Sequence, residues 1–439
     1  MSRRSLLRYG AGAAASAVVL PALARAGLRA SDGSASRRLA EAAGSYSYNL
    51  WSFDGAPEVA QVKQYEAAYN KLGRSQITLK FSTLAGSGAT LYPSKIQSLI
   101  SSGTPPDLFE DWVGSLAAPF IAEGAVRPLT AWYAKYGWHK LLNPLAVDYC
   151  SVGGKPYGVP TALNTVPVWY NKTLFAKADV AVPTTYDEWE TVNKKLLKAG
   201  ITPAGEAAID GWDVMRLFEH LLEVTAGPKL HDQLLALETS WNTPAVVEAF
   251  SLFKKWSDQG WLEKGWIGTN PNDSVALFTA GKCAQQLQGP WGTLNITSAG
   301  ANLANFGVFA PPGDKRPARL AGFAQQYLIS THVTGARLDA LGDFWNWFIQ
   351  PAQSQKYFYA GSTATNGGLP AGNTAADVLA HAIFNFAAKY GGYLIMDEAL
   401  SPQLIDKYFT LQVAVGGDKM TPQDAAAQMQ KFAAASMKK

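Results

Sequence analysis

The sequence is poor in the residues that most often carry chemistry. It holds two cysteines and five histidines in 439 residues, and charged residues make up only 16%. The histidines, His139, His220, His231, His332 and His381, show no i, i+4 pair and no neighbouring cysteine. Metal-ligand spacing is therefore missing, and neither a metal nor a cofactor is expected. No Gly-Lys-Ser/Thr phosphate loop and no Gly-x-Ser-x-Gly elbow occurs, which removes two common nucleotide and serine-hydrolase signatures. A long apolar run is also lacking: the stretch that ends at Leu20 has about a dozen residues, where a bilayer span needs roughly 20.

That short run has its own reading. "SRRSLLR" (Ser2–Arg8) precedes it and "PALARA" follows, with small residues at Ala24 and Ala26. This is the layout of a secretory signal peptide over residues 1–26, and the pair Arg3–Arg4 resembles a twin-arginine export signal. No cysteine follows the run, so a periplasmic or secreted protein without a lipid anchor is expected. The net charge of +4 is matched by Arg3, Arg4, Arg8 and Arg25 within the signal, so 4 minus 4 leaves the exported chain near neutral. Nothing in that balance recommends nucleic acid or an anionic membrane as a partner.

After a spacer at 27–44 the pattern alternates short apolar strands with amphipathic helices. "SYSYNLWSF", "QITLKFSTL" and "PDLFED" read as strands, and Pro57 opens a helix carrying Val59, Val62, Tyr65 and Tyr69 at three- and four-residue spacing. Thr185 and Glu188 form a capping box, and Thr243–Pro244 starts another helix. Such order predicts an α/β fold with ligand sites at strand C-terminal ends.

What is plentiful is tryptophan, fourteen in all, of which Trp51, Trp112, Trp212, Trp266 and Trp291 sit beside turn-formers and polar residues. An indole covers the flat C–H face of a pyranose while Asp, Glu and Asn meet its hydroxyl rim, so these positions are read as either core packing or ligand contact. The carboxylates Asp54, Glu110, Asp111 and Asp210 at strand exits are read as solvated loop groups, as acceptors in a binding cleft, or as a glycosidase pair.

"GKPYGVPTALNTVPVWYNKTLF" (Gly154–Phe175), "PTTYDEWE" and "LFTAGKCAQQLQGPW" resemble the extracellular solute-binding proteins of ABC sugar importers, the maltose-binding-like group. "YNLWSFDGAPE" and "SSGTPPDLFEDW" resemble the same family's N-terminal segments, so the similarity runs from about Tyr48 to Pro370. The resemblance implies a two-lobed, type II Venus-flytrap fold with a hinge and an interlobe cleft, lobe 1 being 45–163 plus 312–355 and lobe 2 being 164–311 plus 356–439. The chain would cross between lobes near Thr161–Thr165, near Val308–Pro312 and again around Gln350–Ala360. Cys150 and Cys283 then fall in different lobes, which implies free thiols. By the same resemblance Trp291 stacks on sugar, with Asn164, Asp54, Asp111, Trp112, Trp212 and Phe323 as further ligand-binding residues. It implies no catalysis. The expected partners are a carbohydrate ligand and the permease subunits of an ABC transporter, met by a monomer. A polyol or other non-sugar solute, or a secreted carbohydrate-active enzyme, are the alternatives.

Overall fold

The computed structural model describes residues 44–53, 55–84, 88–356, 365–366, 368–369 and 371–437. The expected signal peptide and spacer lie outside them almost entirely, as do Asp54 and part of the crossing expected at Gln350–Ala360.

The alternation of the N-terminal segments builds the first sheet. In β1 (Ser45–Ser52) the side chains of Tyr48, Leu50 and Ser52 turn inward. Helix α1 (Ala56–Asn70), with its proline in the first turn, leads into β2 (Gln76–Thr83), where Ile77 and Leu79 are buried. Helix α2 (Gly88–Ser101) delivers the chain to β3 (Leu108–Asp111). Both β2 and β3 pair with β1 in parallel. Four short helices and a hairpin of Ser151–Val152 with Lys155–Pro156 then lead to β4 (Gly158–Thr165), buried at every position but Thr161.

At Val166–Pro167 the chain passes to the second sheet, starting with β5 (Val168–Asn171). Helix α3 (Tyr186–Lys198) opens on the expected capping box: the Thr185 side chain accepts from the Glu188 amide, and Glu188 accepts from the Thr185 amide. Short β6 (Thr202–Ala204) precedes the long α4 (Trp212–Leu235), which is broken at Gly227–Pro228. Helix α5 (Pro244–Asp258) is capped by Thr243, as expected. Strand β7 (Cys283–Leu287), helix α6 (Gly292–Ser298) and β8 (Phe306–Phe309) complete a sheet of order β8-β5-β7-β6.

The chain then returns to the first sheet as β9 (Leu320–Ile329), antiparallel to both β3 and β4, with β10 (Gly392–Leu394) parallel to it at the edge. A β-bulge interrupts the β4–β9 ladder: Gln326 faces Pro160 and Gln325 faces Ala162, leaving Thr161 extra. Helices α7 (Met396–Ala399), α8 (Pro402–Gly416) and α9 (Pro422–Met437) end the described chain, the last two packed on α5.

Seven of the fourteen tryptophans, Trp138, Trp169, Trp189, Trp241, Trp256, Trp261 and Trp345, are wholly buried. At roughly 150–250 Å² each and ~25 cal/mol/Å², an indole in the core contributes about 4–6 kcal/mol of hydrophobic stabilisation. Trp266, for which the sequence left core packing and ligand contact both open, is a core residue too: it is buried against Phe253, and its Nε1 donates to Ser257 Oγ. Cys150 and Cys283 are both free and buried, and burial pushes both thiols up.

Several contacts clamp the segments that run between the sheets. His220 on α4 holds the Pro312 carbonyl at 2.8 Å, and the Tyr186 amide donates to Gly313. Arg319 forks onto both oxygens of Glu223 at 2.8 and 2.9 Å. Beyond β3, Ser115 donates its amide to the Glu398 carbonyl and its hydroxyl to the Leu400 carbonyl, both at 2.6 Å. Gly114, at φ +65°, lies so close that a Cβ there would overlap the Glu398 carbonyl oxygen.

The two glycine constraints at that position can be separated. Gly114→Ala should destabilise the protein by about 2 kcal/mol or more. Gly124→Ala, at φ +67° with open space around it, should cost only the backbone part. Urea unfolding of both variants checks this, and equal losses would show that the approach to Glu398 imposes nothing.

Candidate functional site

The turn after β7 is built around close approaches. Gly289 is glycine because the six-membered ring of Trp291 occupies the place a Cβ would take, although its backbone needs no left-handed conformation. The indole of the buried Trp169 donates to both the Gln288 and Gly289 carbonyls, at 3.0 and 3.1 Å. Trp291 follows as the N-cap residue of α6, and its carbonyl accepts from the Asn295 amide. Turn and helix start are thus fixed from beneath, and the half-buried indole is carried by rigid backbone.

Its orientation is set by one amide. Gln288 Oε1 accepts from Trp291 Nε1 at 2.7 Å and from Arg216 NH1 at 2.9 Å. Gln288 Nε2 donates to Asp213 Oδ1 at 2.7 Å. An amide oxygen has two lone pairs, so this one is saturated and the side chain can be turned only one way. Arg216 also donates to the Leu287 carbonyl at 3.3 Å and lies 3.5 Å from Asp213. Its guanidinium stands over two indoles, 4.3 Å from the Trp212 ring and 5.0 Å from that of Trp291.

Phe323, from β9 of the first sheet, meets this group from the other side, its ring centroid 5.9 Å from that of Trp291 at a tilt of 43°. Asn164 is the cross-strand partner of Phe323, so both share one face; its side-chain oxygen is buried with no protein partner. Four of the expected residues, Trp291, Trp212, Phe323 and Asn164, are therefore brought together where the two sheets adjoin.

Asp111 and Trp112 form a second group at the end of β3. Gln326, three residues beyond Phe323 on β9, donates to Asp111 Oδ2 at 3.1 Å and to the Trp112 carbonyl at 3.3 Å. A Cβ on Gly158 would overlap the amide oxygen of this Gln326. Trp112 stacks flat on Phe53, 3.7 Å apart and 6° from parallel, with Tyr92 edge-on to both. Asp111 is buried, and burial raises its carboxyl well above the usual range against the smaller effect of Gln326. In this arrangement solvent reaches the indoles of Trp112, Trp212 and Trp291 but hardly touches Asp111 or Asn164.

The interior beside the site is rich in acids with few partners. Burial, opposed by Arg216, raises Asp213 to about 6, and Glu206, whose Oε1 accepts from the Leu287 amide, is raised well above its ordinary value by burial and then by Asp213. Glu219, one turn beyond Arg216 on α4, is raised in the same way by burial and by Asp397. Among the described residues no group of three or more His, Cys, Asp or Glu is arranged to hold a metal. Arg216 and Gln288 carry no motif and sequence reading passed over them. The i, i+4 spacing of Trp212 and Arg216 and the seat of Gln288 just before Gly-Pro-Trp are the signals that could have found them.

The family described as bacterial extracellular solute-binding protein matches residues 54–355. The chain belongs to that family. This solute-binding protein is 26% identical over 255 residues to an uncharacterised ABC transporter extracellular-binding protein of Pyrococcus horikoshii, covering 56% of this chain and 55% of the relative. It is 25% identical over 225 residues to the multiple sugar-binding protein of Streptococcus mutans, covering 50% and 53%. The chain thus spans about half the length of the curated relatives it matches. A solved chitin oligosaccharide binding protein is similar with a TM-score of 0.78 at 22% identity, over 90% of this chain and 100% of that one. That likeness shows the fold, the expected two-lobed α/β architecture, and the family's members are binding proteins. Among the described residues no helix is long and apolar enough to cross a membrane.

A buried neutral histidine gives the region a pH dependence of known sign. Burial lowers His220 from 6.5 to about 4, so its contribution is present above pH 6.5 and is lost as pH falls through 4. His220→Gln keeps a donor for Pro312 and cannot titrate. The unfolding free energy of the wild type should therefore drop relative to this variant on acidification over that range, by up to about 3 kcal/mol. A difference that stays constant with pH, measured by urea unfolding, would mean the imidazole is solvated.

Proposed function

We propose that the protein is the substrate-binding component of an ABC importer, and that it takes a mono- or oligosaccharide against Trp291 where the sheets adjoin. The observation that carries this reading is the half-buried indole held at its N–H edge by Gln288 and at its base by Gly289, with Phe323 of the first sheet beside it. A fixed, partly wet aromatic with polar neighbours suits a pyranose face. The sugar ligands named for the Streptococcus mutans relative and the chitin oligosaccharide binder support the same class.

On this reading lobe 1 is 45–163 plus 312–355 and lobe 2 is 164–311 plus 356–439, and solute favours a closed arrangement by touching both. Asp111 and Asn164 then count as groups that meet solute when the walls part, and Trp112, Trp212, Phe323 and Asp54 as the rest of the lining. A monomer exported by a twin-arginine signal to the periplasm or exterior delivers the solute to a permease. Catalysis is not part of the proposal: Asp111 is buried under Gln326 rather than presented to solvent.

A thermal-shift screen of the exported chain against raffinose, chitobiose, xylotriose, maltose, galactose and glycerol should show stabilisation by at least one sugar. Calorimetric titration of that sugar into Trp291→Ala should then show affinity lower by about tenfold or more. Unchanged affinity, or stabilisation by glycerol alone, would overturn the reading.

A further inference from the structure

The Trp212–Arg216–Trp291 group carries an inference about selectivity. Two aromatic faces around one positive charge form the arrangement with which proteins capture ammonium ligands. Here the charge belongs to the protein. Trp212 is the first residue of α4 and Arg216 stands one turn on, so the helix itself lays the guanidinium over the Trp212 ring. The turn brings Trp291 to the same cation.

Arg216 is fixed independently of any solute. It is 6% exposed, while both indoles are half-buried. Its NH1 donates to Gln288 Oε1 and to the Leu287 carbonyl, and Asp213 pairs with it. Its Nε is buried with no protein partner, so the group is held by one end and by the two ring faces. Asp213 Oδ1 and Glu206 Oε1 are taken by Gln288 and by the Leu287 amide, and their second oxygens are buried without a protein partner, while the guanidinium lies over both ring faces, so a second cation at those faces would meet like charge.

We propose that Arg216 is a specificity-determining residue: the resident cation of the Trp212–Trp291 pair, which closes this site to ammonium solutes and leaves the remaining indole surface to uncharged, hydroxylated ones. The inference rests on the sugar reading of the junction, and the two are separable. Arg216→Met removes the charge while keeping an apolar side chain of similar length. Because that change strands the buried Asp213, the double variant Asp213→Asn/Arg216→Met is examined beside it, which removes both charges together.

The probe is tetramethylammonium chloride, titrated against intrinsic tryptophan fluorescence with sodium chloride as the control. The wild type should respond no more to tetramethylammonium than to sodium. The double variant, and the single variant if it folds, should show a saturable response with apparent affinity at least about tenfold above the wild type. A saturable response of the wild type, or none in a double variant whose circular dichroism and melting show it folded, would overturn the inference. A wild type that binds no sugar of the panel would overturn the sugar reading and leave these two arms to decide on Arg216. Sugar that competes with tetramethylammonium in the double variant supports both.

Discussion

The amide of Gln288 is the joint on which the site depends. Its oxygen takes the N–H of Trp291 and one arm of Arg216, and its nitrogen goes to Asp213. This buried amide meets donors on one side and an acceptor on the other, and each partner costs free energy if left alone in the interior. The backbone beneath is tied in turn, since the Trp169 indole straddles the carbonyls of Gln288 and Gly289. An indole that remains partly in water can thus have a fixed orientation without being covered by protein, which lowers the ordering cost when a flat ligand arrives.

Around this joint the protein keeps charge scarce rather than balanced. Burial raises the carboxyls of Glu206, Glu219, Glu398 and Asp111 well above the usual carboxylate range, because the interior disfavours their charged form. Arg216 is left with Asp213 as its ion-pair partner. The two thiols follow the same rule: buried and pushed up by desolvation, Cys150 and Cys283 are poor nucleophiles. The junction is polar in the sense of amides and of acids whose charged form burial disfavours.

Much of the fold was legible in the sequence because it rests on local rules. Strand period, the Thr185–Glu188 box, the Thr243 cap and the N-terminal proline of α1 all act within a few residues and emerged where patterning put them. The turn carrying Trp291 was legible as well, since Gly-Pro-Trp leaves a large ring few places to go. What was not legible depends on contacts between distant segments. Trp266 has the same flanking glycine as an exposed indole, yet Phe253 and Gly416 close over it. The partner of Trp112 is Phe53, nearly sixty positions earlier, and Gln326 reaches Asp111 across an antiparallel ladder that no spacing announces. Tryptophan number pointed to carbohydrate, although nine of these fourteen indoles are core.

The extra residue in β4 decides which side chain looks toward the aromatic group. Had the ladder run on regularly from Pro160 opposite Gln326, Leu163 would stand across from Phe323 and Asn164 across from Gly322; with Thr161 looped out, Asn164 takes that place. On the proposed reading, selectivity at this wall is encoded in chain length as well as in residue type. A lineage could exchange an amide for an isobutyl group opposite Phe323 by smoothing one irregularity upstream, with every side chain of the aromatic group left unmutated.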